Sequence, residues 1–163
     1  MGAAIKDLSQ DFQDLIELLT SHDVEFIIVG AYALAYLGHT RYTEDIDVWI
    51  RRSESNAKKA AEALADFGIL LNDEGVQQLA QDRKLLQFGV KPQRVDVLTF
   101  LDGCDFETAF TRANVAEAGR ARVRFLSLED YVLTKRASGR RKDLRDLEDL
   151  EEALGKPLPG DHV

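Results

Sequence analysis

The sequence predicts an α+β fold in which helices flank a small mixed sheet and the C-terminal part is helical. Segments with helical and with strand periodicity follow one another in mixed order, and no Pro- or Gly-rich linker divides the chain. The 163 residues suit one compact domain. We expect this domain to span residues 1–154, with its helical portion at about 127–154 and a polar tail that frays over 155–163.

Each element follows from its periodicity, because helices repeat apolar residues every three or four positions and strands alternate or form short apolar runs. The first half predicts a helix over 8–19 with Ser9 as its candidate cap, a strand over 24–30, a short helix over 31–37, a strand over 45–50 and a long helix from Ser53 or Ser55 to Phe67. The second half predicts weaker strands over 69–72 and 84–90 around a helix at 74–81, a strong strand over 94–100, a helix over 105–113, a strand over 120–126, a helix capped by Ser127 and a last helix after Gly139.

Composition and charge narrow the functional classes. No apolar run approaches the roughly 20 residues that a membrane helix needs, the N-terminus lacks the basic and apolar pattern of a signal peptide, and Cys104 is the only cysteine. These features predict a cytoplasmic protein without a membrane partner. The net charge of −8 argues against broad, non-specific binding of nucleic acid, which depends on neutralising phosphates.

Three aspartates occur in predicted strands, where aspartate is rare. Asp45 and Asp47 share one face of their strand because side chains alternate, and Asp96 lies between two valines of a second strand. Two like charges about 4 Å apart repel by roughly 4 kcal/mol at an effective dielectric constant near 20. If the strands are neighbours in register, the three carboxylates converge, and a hard cation such as Mg²⁺ would neutralise them. The alternative is a solvated sheet face that carries polar residues.

Two further groups of residues suit phosphate. Gly30 and Ala31 stand where a strand turns into a helix, and glycine there lets a ligand approach exposed backbone N–H groups. Lys135 and Lys142 belong to a basic stretch over 135–145 in an otherwise acidic chain, and they are candidates for phosphate contacts. For both lysines, a solvated helix face paired with nearby aspartates explains the pattern equally well.

The stretch VGAYALAYLGHTRYTEDIDVWI, together with RVDVL, resembles the signature of the nucleotidyltransferase superfamily with the DNA polymerase β-type fold. Gly30 matches the turn of that signature. Asp45 and Asp47 match the metal-binding pair, and Asp96 matches the third carboxylate. The chain is most similar to small bacterial AbiEii-type toxins and stand-alone nucleotidyltransferases. Two motifs of that group recur here, one at Arg41, Thr43, Asp45 and Asp47 and the other at Lys135, Arg140, Lys142, Asp143 and Asp146.

The resemblance implies transfer of a nucleoside monophosphate from an NTP to a hydroxyl acceptor, with release of pyrophosphate. Asp45 and Asp47 would hold Mg²⁺, or Mn²⁺, on the triphosphate, while Asp96 would help to hold a second ion and draw the proton from the acceptor. Arg41 and Thr43 would stand near the phosphates, although Arg41 can instead pair with a carboxylate and Thr43 can fix the loop. The acceptor stays open among a tRNA or other RNA 3′ end, a protein and a small molecule, and an antitoxin partner or a homo-oligomer is expected.

Two other interpretations stay open. At the second turn position the chain has Ala31, where the superfamily has Gly or Ser, so no hydroxyl is present to bond a phosphate. This favours a catalytically silent module of the same fold that binds a nucleotide or a partner protein, whereas the intact carboxylate triad favours an enzyme. The third interpretation is a structural α+β domain whose aspartates line a solvated face.

Overall fold

A six-stranded mixed sheet with helices packed on its two faces forms the frame of the protein. The computed structural model describes residues 9–39 and 43–160. The helices are α1 (Gln10–Ser21), α2 (Ala31–Tyr36), α3 (Glu54–Phe67), α4 (Asp73–Gln78), α5 (Phe106–Arg112), α6 (Leu128–Ser138) and α7 (Arg141–Leu154). The strands are β1 (Phe26–Val29), β2 (Asp45–Ile50), β3 (Leu85–Phe88), β4 (Arg94–Leu98), β5 (Asn114–Ala118) and β6 (Ala121–Phe125).

The strands lie in the order β3-β4-β2-β1-β6-β5. Strand β2 runs antiparallel to β1 and parallel to β4, and β6 runs parallel to β1. The two edge strands, β3 and β5, are antiparallel to their neighbours. The predicted α+β fold, a mixed sheet flanked by helices, is therefore confirmed. Because β2 lies between β1 and β4, its aspartates stand in the middle of the sheet rather than at an edge.

Each face of the sheet buries its own apolar core, because successive side chains of a strand point to opposite faces. On one face, Ile28 and Val48 are at most 1% exposed and pack in a core with residues of α1 and α3. On the other face, Ile27 and Trp49 are at most 2% exposed and pack in a core with residues of α6 and α7. The aspartates of β2 share the face of Trp49, where they stay partly exposed.

Helix ends follow the capping signals of the sequence. Side-chain oxygens of Ser9, Ser53 and Ser127 accept hydrogen bonds from backbone N–H groups in the first turns of α1, α3 and α6. Ser53 rather than Ser55 is thus the start of the long helix, and Gly68 ends it in the left-handed conformation, with φ of +109°. None of the described helices is long and apolar enough to cross a membrane.

Two parts of the predicted strand pattern are wrong. Residues 69–72, predicted as a weak strand, lead instead into α4, where Asn72 caps the helix and Leu70 is 83% exposed. Residues 114–118 form the edge strand β5, which was not predicted, because the run NVAEA contains only one residue with a high preference for strands. Its pairing with β6, rather than its own composition, makes this segment a strand.

The segment after α7 docks on the helices instead of fraying, as far as residue 160. Leu158 is 3% exposed and joins the core that contains Leu147 and Leu150. The carbonyl oxygen of Pro159 accepts a hydrogen bond from Arg136 Nη1 at 3.0 Å. One apolar side chain and one carbonyl thus attach a stretch whose composition is mostly polar.

Candidate functional site

The parallel pairing of β2 and β4 brings the three predicted aspartates together. Asp47 lies directly opposite Asp96 in the register of the two strands, and Asp45 lies opposite Arg94. Residues that are opposite each other in paired strands point to the same face of the sheet. The side chains of Asp45 and Asp96 are 21% and 7% exposed, so the cluster is largely shielded from water. The predicted convergence of the carboxylates is therefore confirmed, while their roles remain predictions.

Arg94 was not among the predicted site residues, yet its guanidinium contacts two of the three carboxylates. Its Nη2 donates to Asp45 Oδ2 at 2.8 Å, and its Nε lies 3.1 Å from Asp96 Oδ1. Burial alone would lower the pKa of Arg94, but the charges of Asp96 and Asp45 outweigh this effect and raise it. Arg94 is therefore a permanent cation inside the carboxylate cluster. The sequence signal was its position two residues before Asp96, which puts both side chains on one face.

The third carboxylate, Asp47, is poorly compensated. Burial raises its pKa, and the charges of Asp45 and Asp96, with a hydrogen bond to Asp96, raise it further against the opposing effect of Arg94, to about 7. A carboxyl group with this pKa carries a proton in about half of the molecules at neutral pH. A cation beside it would favour the ionised form, so the cluster is short of positive charge.

Gly30 is required by its contact with Asp47. A Cβ atom at position 30 would lie 2.1 Å from Asp47 Oδ2 and 3.0 Å from its Cγ. The backbone also has φ of +72° and ψ of −149°, a conformation that is essentially restricted to glycine. The glycine at the predicted phosphate turn thus also has a structural role, because the absence of a side chain leaves room for the carboxylate of Asp47.

Thr43 and Asp45 form a local hydrogen-bond network at the start of β2. Thr43 Oγ1 lies 3.0 Å from the backbone carbonyl oxygen of Asp45 and 3.1 Å from its Oδ1, and it accepts the backbone N–H of Asp45 at 3.3 Å. These contacts orient the carboxylate, which is the loop-fixing role considered for Thr43. Arg41, the other predicted residue of this loop, lies outside the described residues.

The predicted basic residues of α6 and α7 are tied to aspartates. Lys135 Nζ lies 2.9 Å from Asp146 Oδ2 and 3.3 Å from Asp143 Oδ1. Burial would raise the pKa of Asp143, but hydrogen bonds from Arg140, Ser138 and Lys135 hold it below its ordinary value. Asp143 is therefore a fixed negative charge at the junction of the two helices, and with Asp146 it holds Lys135 at the wall of both cavities.

Two cavities meet at Asp47 and Lys135. The polar cavity has a volume of about 320 Å³, and its wall includes Lys91, an exposed residue that was not among the predicted site residues. The apolar cavity has a volume of about 470 Å³. The predicted residues on the polar wall are Gly30, Ala31, Thr43, Asp45, Asp47, Lys135 and Lys142. The structure thus brings every described candidate to this cavity except Asp96, which stands behind Asp47 in β4.

A divalent cation fits the donors of the site when it brings further ligands. Among residues 9–39 and 43–160, no group of three or more His, Cys, Asp or Glu side chains is arranged to hold a metal. Arg94 pairs with Asp45 and Asp96, so two of the three carboxylates already have a cationic partner. Asp45 and Asp47 still offer two carboxylates on one face, and Mg²⁺ commonly uses one or two carboxylates with waters and phosphates.

The family of the chain follows from the match of its sequence to a family model. No curated protein matches it. Among solved structures, an antigenic nucleotidyltransferase-like protein from Paracoccidioides brasiliensis is similar at 19% identity, with a TM-score of 0.49, over 94% of this chain and 80% of that one. Residues 6–156 match the family described as "Nucleotidyltransferase of unknown function (DUF6036)", which includes the whole carboxylate cluster and both cavities. The chain belongs to this nucleotidyltransferase family.

Proposed function

We propose that the protein is a metal-dependent nucleotidyltransferase that moves a nucleoside monophosphate from an NTP to a hydroxyl acceptor and releases pyrophosphate. The observation that carries this proposal is the register of β2 and β4, which places Asp45, Asp47 and Asp96 on one face. The lysine-lined cavity beside these carboxylates supports it, because a triphosphate needs cationic contacts. Membership of a nucleotidyltransferase family supports the same reaction class.

The triphosphate would bind in the polar cavity. Lys91, Lys135 and Lys142 line it and would contact the phosphate oxygens. The backbone at Gly30 and Ala31 would lie against the phosphates, and Arg41 is a further predicted phosphate contact outside the described residues. Helix α2 has only six residues, so the proposal depends on the lysines rather than on the dipole of this helix.

Asp45 and Asp47 would hold Mg²⁺, or Mn²⁺, and Asp96 would help to hold a second ion; the metal would neutralise charge on the triphosphate. Side chains of the protein would perform the other steps. Asp96 would accept the proton of the acceptor hydroxyl, the general-base role that the resemblance implies; because Asp96 lines neither cavity, the hydroxyl would have to reach it beside Asp47. Lys135 would bind the charge that develops on the leaving pyrophosphate. Thr43 would keep Asp45 oriented through its hydrogen bonds.

The acceptor would approach from the apolar cavity, which opens on Asp47 and is walled by Leu98, Phe100 and Tyr131. Its volume of about 470 Å³ is within the range of sites for small molecules and nucleosides. The acceptor classes to be tested are an RNA 3′ end such as that of tRNA, a protein side chain and a small molecule. A role in a toxin–antitoxin pair, an antitoxin partner or a homo-oligomer, and a cytoplasmic location are further predictions.

The second candidate function is a catalytically silent module that binds a nucleotide or a partner protein. Ala31 favours it, because a methyl group stands in the wall of the polar cavity where the superfamily has no side chain or a hydroxyl. The ion pairs of Lys135 favour it as well, since a phosphate has to compete with Asp143 and Asp146 for this ammonium group.

The test uses purified protein, Mg²⁺ and each of the four NTPs labelled at the α-phosphate, in a cell extract that contains RNA, protein and small molecules. The wild type is compared with the Asp45→Asn/Asp47→Asn double variant. Asp66→Asn is the control, because Asp66 is 57% exposed and pairs with His22 away from the site. We expect label to enter one acceptor class with the wild type and the control but not with the double variant.

Two results would contradict the proposal. Equal labelling by the double variant would mean that the carboxylates do not carry the reaction. Absence of labelling in every fraction, with NTP binding that depends on Asp47, would favour the silent module. Separation of RNA, protein and small molecules before counting identifies the acceptor class in the same experiment.

A further inference from the structure

Arg94 is placed by the strand register, not by chance side-chain contact. It begins β4, stands opposite Asp45 and precedes Asp96 by two residues on the same face. Its side chain is 26% exposed, while those of Asp45 and Asp96 are 21% and 7% exposed. Its Cβ and those of the two aspartates point to the same face of the sheet, so the guanidinium reaches both carboxylates from its own strand position.

The guanidinium takes up ligand oxygens that a metal ion would use. One nitrogen, Nη2, lies 2.8 Å from Asp45 Oδ2 and 3.4 Å from Asp96 Oδ2, and Nε lies 3.1 Å from Asp96 Oδ1. A guanidinium is planar and always charged, and its fork of donors can hold two carboxylates at once. Asp45 Oδ2 and Asp96 Oδ2 are therefore already hydrogen-bonded to a cation that is part of the chain, whereas Asp96 Oδ1 pairs with Nε by charge alone and accepts no hydrogen bond from the described residues.

We propose that Arg94 is a positioning residue that holds Asp45 and Asp96 in the metal-free protein and that a divalent cation must displace from them. This inference rests on the metal site of the proposed function and adds a regulation to it. Free metal ions meet a cluster whose charge is partly neutralised, so they bind weakly. A metal–nucleotide complex brings phosphate oxygens as additional ligands and needs fewer protein oxygens. Arg94 thereby makes metal binding depend on the nucleotide, and linkage requires the reverse dependence to be equal.

The test is a titration of the metal-free protein with Mn²⁺ alone, followed by electron paramagnetic resonance of the free ion. We expect Arg94→Gln to raise the affinity for free Mn²⁺ by about tenfold or more, because three carboxylates lose their internal cation. Arg94→Lys keeps the charge but loses the fork, so it should give a smaller gain. Arg51→Gln is the matched control, since Arg51 is also 26% exposed and also bridges two carboxylates, and it should leave the affinity unchanged.

A second measurement separates displacement from a general loss of structure. Without metal, Arg94→Gln should melt at a lower temperature than the wild type, and Mn²⁺ should raise its melting temperature by more than it raises that of the wild type. If Arg94→Gln fails to fold, Arg94→Lys carries the test, and it must still bind free Mn²⁺ more tightly than the wild type. A nucleotide should raise the Mn²⁺ affinity of the wild type by a larger factor than that of Arg94→Gln.

Unchanged or weaker Mn²⁺ binding by the Arg94 variants would overturn the inference, and so would a gain of the same size in Arg51→Gln. The transfer assay tells this failure from that of the proposed function. If the wild type transfers label but Arg94→Gln has an unchanged Mn²⁺ affinity, the proposed role of Arg94 is wrong and the proposed reaction stands. A gain in Mn²⁺ affinity without any label transfer supports the role of Arg94 and contradicts the proposed reaction.

Discussion

An arginine bridges two carboxylates at each end of β2, and the two clusters have different surroundings. Arg94 holds Asp45 and Asp96, whose side chains are 21% and 7% exposed, beside a third carboxylate. Arg51 contacts Glu25 and Glu107, which are 46% and 69% exposed, and its guanidinium stacks 4.9 Å from the ring centre of Phe106. The arginines themselves are equally exposed, at 26%. The difference therefore lies in the carboxylates.

The surroundings of the two arginines distinguish a structural ion pair from a candidate site. The cluster of Arg51 is nearly balanced and wet, so its pairs have little effect on stability and need no ligand. The cluster of Arg94 has three carboxylates for one guanidinium, one more than the cluster of Arg51, and it is shielded from water and opens on two cavities. Excess like charge at a shielded position is unfavourable for folding. The proposed binding of a cation with a phosphate ligand would offset this cost.

The largest expected effect is the loss of transfer on removing one charge from the cluster of Arg94. Asp47→Asn should lower the rate of nucleotidyl transfer by about 10³-fold, because the metal and the phosphates lose a ligand that is an anion. Glu107→Gln, in the cluster of Arg51, should leave the rate within about twofold. Initial rates with labelled NTP measure both, and equal rates for the two variants would remove the distinction between the clusters.

The second effect concerns Gly30, which leaves room for Asp47. Gly30→Ala should lower transfer by about 10²-fold and destabilise the fold by roughly 1–3 kcal/mol, because the new Cβ atom displaces Asp47 and the backbone is strained. Gly68→Ala is the matched control: φ is also positive there, at +109°, but no atom stands within 4 Å of the added Cβ. Gly68→Ala should lose stability but keep the transfer activity of the wild type. Urea denaturation and initial rates separate the two results, and full activity in Gly30→Ala would contradict the packing argument.

A smaller effect is expected from the lysines of the polar cavity. Lys135→Met should weaken NTP binding by about tenfold, because Lys135 is held in place by Asp143 and Asp146 and faces both cavities. Lys142→Met should weaken binding by only about twofold, because Lys142 is exposed and its contacts are screened. Isothermal titration calorimetry with Mg²⁺ measures both affinities. A larger loss in Lys142→Met would reverse their assignment.

The smallest effect is a pH dependence of stability without metal. The pKa of Asp47 is raised in the folded state, from its ordinary 3.8 to about 7, so between these values the folded state binds more protons than the unfolded state. Stability should therefore fall as pH rises from 4 to 7, with a contribution of on the order of 1 kcal/mol per pH unit at most. Asp47→Asn should remove this slope and Glu107→Gln should not. Urea denaturation in a chelator at several pH values tests it, and equal slopes in all three proteins would be inconsistent with the raised pKa.

The sequence predicts the carboxylate cluster because the evidence for it is local. Alternation within a strand places Asp45 and Asp47 on one face, and apolar neighbours identify the strand of Asp96. Which strands pair, and in which register, depends on the whole sheet. The contact of Arg94 with Asp45 across the strands could therefore not be predicted, although alternation alone puts Arg94 on the face of Asp96.

Other features were missed for related reasons. Gly30 follows β1 and approaches Asp47 of β2 only in the folded sheet. The sequence therefore predicts a glycine in a turn but not its contact with Asp47. Lys91 reaches the polar cavity from the loop before β4, which has no periodicity to interpret. The edge strand β5 has a weak composition and depends on β6, while Leu158 carries a docking contact that a single apolar residue in a polar tail does not reveal.

We propose that the Arg94 end of β2 is a metal-dependent nucleotide site and that the Arg51 end is not. Calorimetric titration of the purified wild type, Asp47→Asn and Glu107→Gln with each NTP, with and without Mg²⁺, distinguishes the two ends. We predict binding that requires Mg²⁺ in the wild type and in Glu107→Gln and is lost in Asp47→Asn. Binding of an NTP by Asp47→Asn with the affinity and Mg²⁺ dependence of the wild type would mean that the Arg94 end is not this site.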